Sequence, residues 1–335
     1  MRRSSMLVLS LFALAGCDGG EASTGGGAGG EGGTGGGGAG ELSVTFGSVA
    51  VAPGEEHTRC VVKRLGNTAP IHVDRISNSL GGGSHHLIVY RSGEAVEQPE
   101  PFDCQPFTNL LKPDEGIPLV ISQADDTLQL PAGVGFALEE AQMVRLEMHY
   151  INYTSEPIEV TATSTFHPMD EADFEQEAEL AFFAETAVDL PPQSEVTTDP
   201  LFIPVPEQLS GAKFFAFTGH QHRLGTGIQV ESAESAGGAG TVLYDPEGFS
   251  WAEPPTTYHD PPVEVAPGGG FRFQCAWKNT TAEQVTFGDS ANDEMCLFYT
   301  YYYPSKGPVA CAHTDKIGGG ATFCCPGDPI CEMLP

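Results

Sequence analysis

The sequence predicts an all-β protein, and three observations carry that reading. Beyond residue 42 the chain runs in short alternating stretches such as Val144–Tyr150, Phe214–His222 and Phe271–Trp277. Pro, Gly and Asp separate them, the residues that punctuate turns. No long segment has the 3.6-residue periodicity of an amphipathic helix. Many short strands with regular turn signals read as β-sandwiches or barrels. The length, 335 residues, suits about two domains. Hydrophobic residues make up 40%, which excludes global disorder. Acids outnumber bases by 45 to 15, for a net charge of −30. Nucleic acid is therefore excluded as a partner, because phosphate contacts need Lys and Arg. No apolar run reaches the ~18–20 residues of a membrane-spanning helix.

Taken in order, the chain opens with Arg2 and Arg3, then the short apolar run Met6–Ala15. Leu14-Ala15-Gly16-Cys17 follows, and small residues just before a Cys resemble a bacterial lipobox. Residues 1–16 are read as a lipoprotein signal peptide and Cys17 as the lipidated mature N-terminus. The expected location is outside the cytoplasm, anchored to a membrane by lipid, at the periplasmic face or the cell surface. Cleavage removes two arginines and no acid, taking the net charge from −30 to −32. Residues 17–41 are the lipidated Cys and a Gly-rich flexible tether, with a reach of roughly 25–30 Å as a random coil. The acidic segment Met169–Glu179 interrupts the strand pattern. It reads as a domain junction or a short helix. It divides the body into 42–172 and 173–304, followed by a Cys-rich tail, 305–335. No sequence repeat links the halves.

Apart from Cys17 there are eight cysteines, an even number that reads as disulfides in an exported protein. Cys311, Cys324, Cys325 and Cys331 crowd into the tail, which looks like a small disulfide-tied appendage of undetermined pairing.

Of ten histidines, 57, 72, 167, 259 and 313 carry no assigned role. His85 and His86 are adjacent, so in a regular strand they face opposite sides. Both reach one metal only at a strand end or bulge, which Gly81-Gly82-Gly83 would permit. In Val144–Tyr150, Arg145, Glu147 and His149 share the polar face. His149 then points to a polar surface or cleft, and is otherwise an ordinary surface histidine. His220 and His222 form an HxH pair, which on a strand puts both rings on one face, about 6–7 Å apart. That suits two ligands of one transition metal, although such pairs also arise by chance. Met295 shares a strand face with Tyr299, with Cys296 opposite. A lone Met usually fills a core. Joined to an HxH pair, it makes an N,N,S site whose soft thioether selects Cu(I).

The ordered set HH, HY after an alternating strand, HxH, and EMC followed by tyrosines resembles the copper type II, ascorbate-dependent monooxygenases. The intervals between the motifs are 62, 70 and 72 residues. The likeness covers roughly residues 42–304, including Pro131–Phe136, Arg145–Tyr150, His220–Gly225 and Asp293–Tyr303. It implies two consecutive antiparallel β-sandwich, jelly-roll-like domains facing a copper-containing, solvent-filled cleft. It implies one copper on His85, His86 and His149, and a second on His220, His222 and Met295. It also implies disulfides Cys60–Cys104 and Cys275–Cys296.

The implied activity is hydroxylation of an activated C–H bond of a small organic substrate, with O₂ and an ascorbate-type reductant. Met295, His220, His222 and Tyr299 form the catalytic set. Thr218 stands where peptide-amidating members carry an Arg, which disfavours a glycine-extended peptide because Thr makes no bidentate ion pair. Glu147 resembles the amine-hydroxylating branch, either as a substrate contact or as a structural group. The alternative function is a non-catalytic extracytoplasmic copper carrier.

Overall fold

The computed structural model describes residues 40–104, 116–317, 319–329 and 331. The signal segment, Cys17 and the tether through residue 39 lie outside the described residues. The described chain is all β, its helical pieces being short 3₁₀ turns such as Glu171–Asp173 and Glu207–Leu209.

Residues 42–177 build two sheets. The outer one runs Leu42–Val51, Ile158–Pro168, Ile71–Leu80, Val134–Leu138 and Gln176–Glu177, with Asp126–Gln129 also paired to Ile71–Leu80. The inner one runs Gln98–Asp103, Glu56–Arg64, Met143–Ile151, Ser84–Ser92 and Gly116–Ser122. The rest builds a small two-stranded sheet of Asp189–Leu190 and Val285–Thr286, and a second pair. Its inner sheet is Thr256–Glu264, Lys213–His220, Cys296–Tyr303, Glu179–Glu185, Val309–Thr314 and Ala321–Cys325. Its outer sheet is Ser194–Thr197, Gly270–Asn279, Gly225–Ala233 and Gly240–Tyr244, with Leu201–Pro204 on Gly270–Asn279.

Two cores fill the layers. One joins both sheets of the first half and also takes Leu180, Phe182, Phe215, Met295, Leu297, Tyr299 and Tyr301 from the second. The other lies between the second half's sheets, around Phe183, Phe217, Phe271, Phe273, Trp277 and Phe298. The inner sheets therefore face each other, and strands there are buried on both sides. All nine residues of Met143–Ile151 are buried. The outer strand Ile158–Pro168 instead alternates between buried and open positions, as one solvated face requires. The polar face expected on Val144–Tyr150 is thus covered by the other half.

The acidic segment forms the 3₁₀ turn Glu171–Asp173 and the short strand Gln176–Glu177, which pairs in parallel with Val134–Leu138. The tail is not a separate appendage. Val309–Thr314 pairs in parallel with Glu179–Glu185, and Ala321–Cys325 extends the same sheet. Disulfides link Cys311 to Cys324 and Cys325 to Cys331. In the body they link Cys60 to Cys104 and Cys275 to Cys296.

Candidate metal centre

Strand irregularities bring the first three histidines together. Gly83 has φ +82°, and a Cβ there would meet Ile158 Cδ1 at 2.3 Å, so the turn needs glycine. Just after it the pairing slips: Ser84 lies opposite Tyr150, yet His86 lies opposite His149. His85 is the extra residue of a bulge, and both neighbours turn to one place. Ring centroids are 5.3 Å apart for His85 and His86, 5.0 Å for His85 and His149, and 5.1 Å for His86 and His149.

The HxH pair departs from the expected regular strand. The strand Lys213–His220 ends at the first histidine, and His222 lies in the following turn, its carbonyl accepting from the Gly225 amide. The rings are 5.3 Å apart, closer than strand spacing would put them. A Cβ on Gly219 would meet Ile228 Cδ1 at 2.8 Å and Tyr244 Cε1 at 3.0 Å, so this approach to His220 also needs glycine.

The two sets touch. His85 and His222 have centroids 5.2 Å apart, and His220 lies 6.0 Å from both His85 and His86. His85, His86 and His149 form one triple with ligand atoms within 4.8 Å, and His85, His220 and His222 form another. His85 belongs to both. The five residues are 4, 1, 2, 2 and 0% exposed in chain order, so they form a buried cluster in place of the expected solvent-filled cleft. Trp251, from the second half, lies 5.6 Å from His85, and its carbonyl accepts from Gln123 Nε2.

Burial, reinforced by the neighbouring imidazoles, holds the pKa values of His85, His86 and His220 well below the usual range. Burial takes His222 down to about 4. Neutral imidazole is the metal-binding form. His149 Nε2 donates to Glu56 Oε1 at 2.9 Å, and His222 Nδ1 donates to the Asp293 carbonyl at 3.1 Å. Their other nitrogens, His149 Nδ1 and His222 Nε2, are buried with no hydrogen-bond partner, as is His85 Nε2. One nitrogen oriented by an oxygen and the other bare is how a ligating histidine is held. The donor set therefore fits a transition metal, copper included.

Met295 lies just before the strand Cys296–Tyr303, buried in the core that holds Leu297 and Tyr299. The preceding Glu294 is fully buried and accepts from the His222 and Leu224 amides, at 3.0 and 2.7 Å, and from Trp277 Nε1 at 3.0 Å. Burial still raises its pKa to about 7.

Tyr299 is buried, and its hydroxyl donates to the Ile121 carbonyl of the first half at 3.1 Å. It lines a cavity of about 190 Å³ with Ile121, Gln123, Asp126, Glu253 and Thr256. Thr218 is buried with its hydroxyl 2.8 Å from that of Thr256. Glu147 is not a surface acid. It accepts from Tyr90 Oη at 2.7 Å and lies 3.9 Å from His86 Nε2, so it braces the cluster from within.

The histidines without an assigned role are structural where the contacts are clear. His72 bonds Glu171 and stacks on Phe174, His259 bonds the Leu243 carbonyl, and His313 bonds Thr322. Sequence reasoning missed Glu56, Gln123 and Trp251. Glu56 hides in an acidic turn, and the other two meet the cluster only through folding. Glu294 was legible only as a neighbour of Met295.

Fold and site define a class: a protein of paired β-sandwiches with clustered, buried imidazoles suited to a transition metal. The comparisons narrow it. Residues 183–317 match the family described as "Copper type II ascorbate-dependent monooxygenase, C-terminal domain". The human protein named "Putative DBH-like monooxygenase protein 2" is 22% identical over 247 residues, 68% of this chain and 48% of that protein. Human DBH-like monooxygenase protein 1 is 27% identical over 202 residues, 56% of this chain and 33% of its own length. The chain thus spans less than half the length of these relatives. The matches support kinship with that copper family. Among solved structures, the major capsid protein P2 of bacteriophage PM2 aligns over 80% of this chain and 99% of its own, at 10% identity and a TM-score of 0.34. A likeness that weak carries no argument.

Proposed function

We propose that the protein is a copper-dependent monooxygenase that hydroxylates an activated C–H bond of a small organic substrate, using O₂ and an ascorbate-type reductant. The observation that carries this reading is the pair of buried imidazole triples meeting at His85. His85, His86 and His149 would hold one copper; His220, His222 and Met295 would hold a second. Bound copper would supply one-electron transfer and activation of O₂. The chain's own part is to keep His85, His86, His220 and His222 neutral by burial, leave a bare nitrogen on His85, His149 and His222, and exclude water. Met295 adds a soft thioether, and Tyr299 walls the cavity beside the halves' junction. The protein would act outside the cytoplasm, tethered by lipid on Cys17.

The test is copper content per chain after reductive loading, followed by a substrate screen with ascorbate and O₂. Two coppers per chain and hydroxylation that disappears in Met295→Ala are expected. One copper or none, or full activity in Met295→Ala, would overturn the two-site assignment. The depth of the cluster favours one other reading, a copper carrier. Product beyond one turnover per chain rules that out.

A further inference from the structure

We infer that Glu56 is the positioning residue that couples the two histidine sets across the halves. The inference rests on the proposed ligand role of His149, but its first readouts do not. Glu56 begins the strand Glu56–Arg64 in the first half. Its Oε1 accepts from His149 Nε2 at 2.9 Å and from the backbone N–H of Ala291, in the second half, at 2.8 Å. Its Oε2 accepts from Ser290 Oγ at 3.3 Å.

Ser290 and Ala291 belong to the turn that leads to Met295, closed by the Asp293 amide bonding the Ser290 carbonyl at 2.9 Å. The Asp293 carbonyl in that turn accepts from His222 Nδ1. A continuous path therefore runs from His149 through Glu56 and the turn to His222, one ligand of each set. A carboxylate only accepts. Glu56 thereby places the proton of His149 on Nε2 and leaves Nδ1 bare toward the cluster. The same carboxylate pins the turn that orients His222.

The two duties separate in two variants. Glu56→Gln can still accept from Ala291, but its amide NH₂ also offers a donor to His149 Nε2, which draws the proton to Nδ1. Glu56→Ala removes both. The test is run on the full metal-free chain, with ring ¹⁵N–¹H correlation spectra for the His149 tautomer and amide exchange for Ala291. His149→Ala assigns the resonance. Wild type is expected to show a single Nε2–H tautomer and a protected Ala291 amide. Glu56→Ala is expected to lose both, with exchange at Ala291 faster by about tenfold or more, the scale of a lost hydrogen bond to a charged acceptor. Glu56→Gln is expected to keep the Ala291 protection and lose the pure tautomer.

Copper affinity of the first set should fall about 10–100-fold in both variants. An Nδ1–H tautomer in wild type, or a tautomer and Ala291 exchange unchanged in Glu56→Ala, would overturn the inference. Should Zn(II) or Cu(I) fail to shift the His149 resonances, the ligand assignment falls, while the clamp is still judged by the metal-free spectra.

Discussion

His85 has two neighbourhoods, His86 and His149 on one side and His220 and His222 on the other. Its double role comes from a one-residue bulge that follows the left-handed turn at Gly83. The break in the strand was readable in the chain, since adjacent histidines converge only where a strand breaks step, but the contact of His85 with His220 and His222 was not. Glu56 was not readable, because Gly54-Glu55-Glu56 has the composition of any solvated turn, and only the fold brings Ala291 to it. Gly219 shows how close the tolerances are. Gly219→Ala would push a methyl into Ile228 and Tyr244 one residue before His220. The expected cost is about 1–3 kcal/mol, the range for overpacking. Under the proposed two-copper function, copper occupancy at the second set should fall with it. Urea denaturation and metal analysis on one preparation check both.

The strand Cys296–Tyr303 shows what a single element does for the whole. Leu297, Tyr299 and Tyr301 enter the core shared with the first half, and Cys296, Phe298 and Tyr302 enter the second. The alternation of Met295 and Tyr299 against Cys296 was legible from period two alone. That both faces would be covered was not, because the residues that cover the Tyr299 face, Ile121 among them, lie more than a hundred positions away. The regular-strand geometry assumed for His220 and His222 failed because the strand stops at His220. Phe298 lies among the aromatic rings of the second core. It stacks on Phe183 at 5.0 Å and meets Phe273 and Phe271 edge-on at 5.1 and 5.6 Å. Phe298→Ala is expected to cost about 3–5 kcal/mol, as for a large aromatic truncated in a tight core. Tyr258→Ala, at an exposed position, should cost well under 1 kcal/mol by the same denaturation experiment.

At the scale of the molecule, four layers of sheet are joined where the chain crosses from one half to the other. Arg91 of the first half bonds Glu177 at 2.6 Å and lies 3.7 Å from Glu179, which is fully buried. Burial raises the Glu179 pKa from 4.5 to about 7, with Arg91 opposing the rise. The unfolded chain loses this proton near pH 4.5, and the folded chain keeps it until about 7. Glu179 therefore lowers stability progressively as pH rises through that window, by up to the order of 3 kcal/mol, and no further above it. Glu179→Gln should remove this slope. The expected result is a smaller difference between the urea midpoints at pH 5 and pH 8 than in wild type, and an equal difference would refute it. The all-β class was visible in the sequence. The merging of the halves was not, since the pattern marks a polar face without saying what covers it.

The doubly covered inner sheets bear on how such a protein could be inherited. Severed near residue 178, each half would carry away a bare sheet face and an unfinished ring of imidazoles. Tyr299 would lose the Ile121 carbonyl, and Glu56 the Ala291 amide. Neither half is a portable module. The two sandwiches are separate as architecture but indivisible as a unit of recombination, and a gene fusion that borrowed only one would inherit an exposed apolar surface in place of a working site.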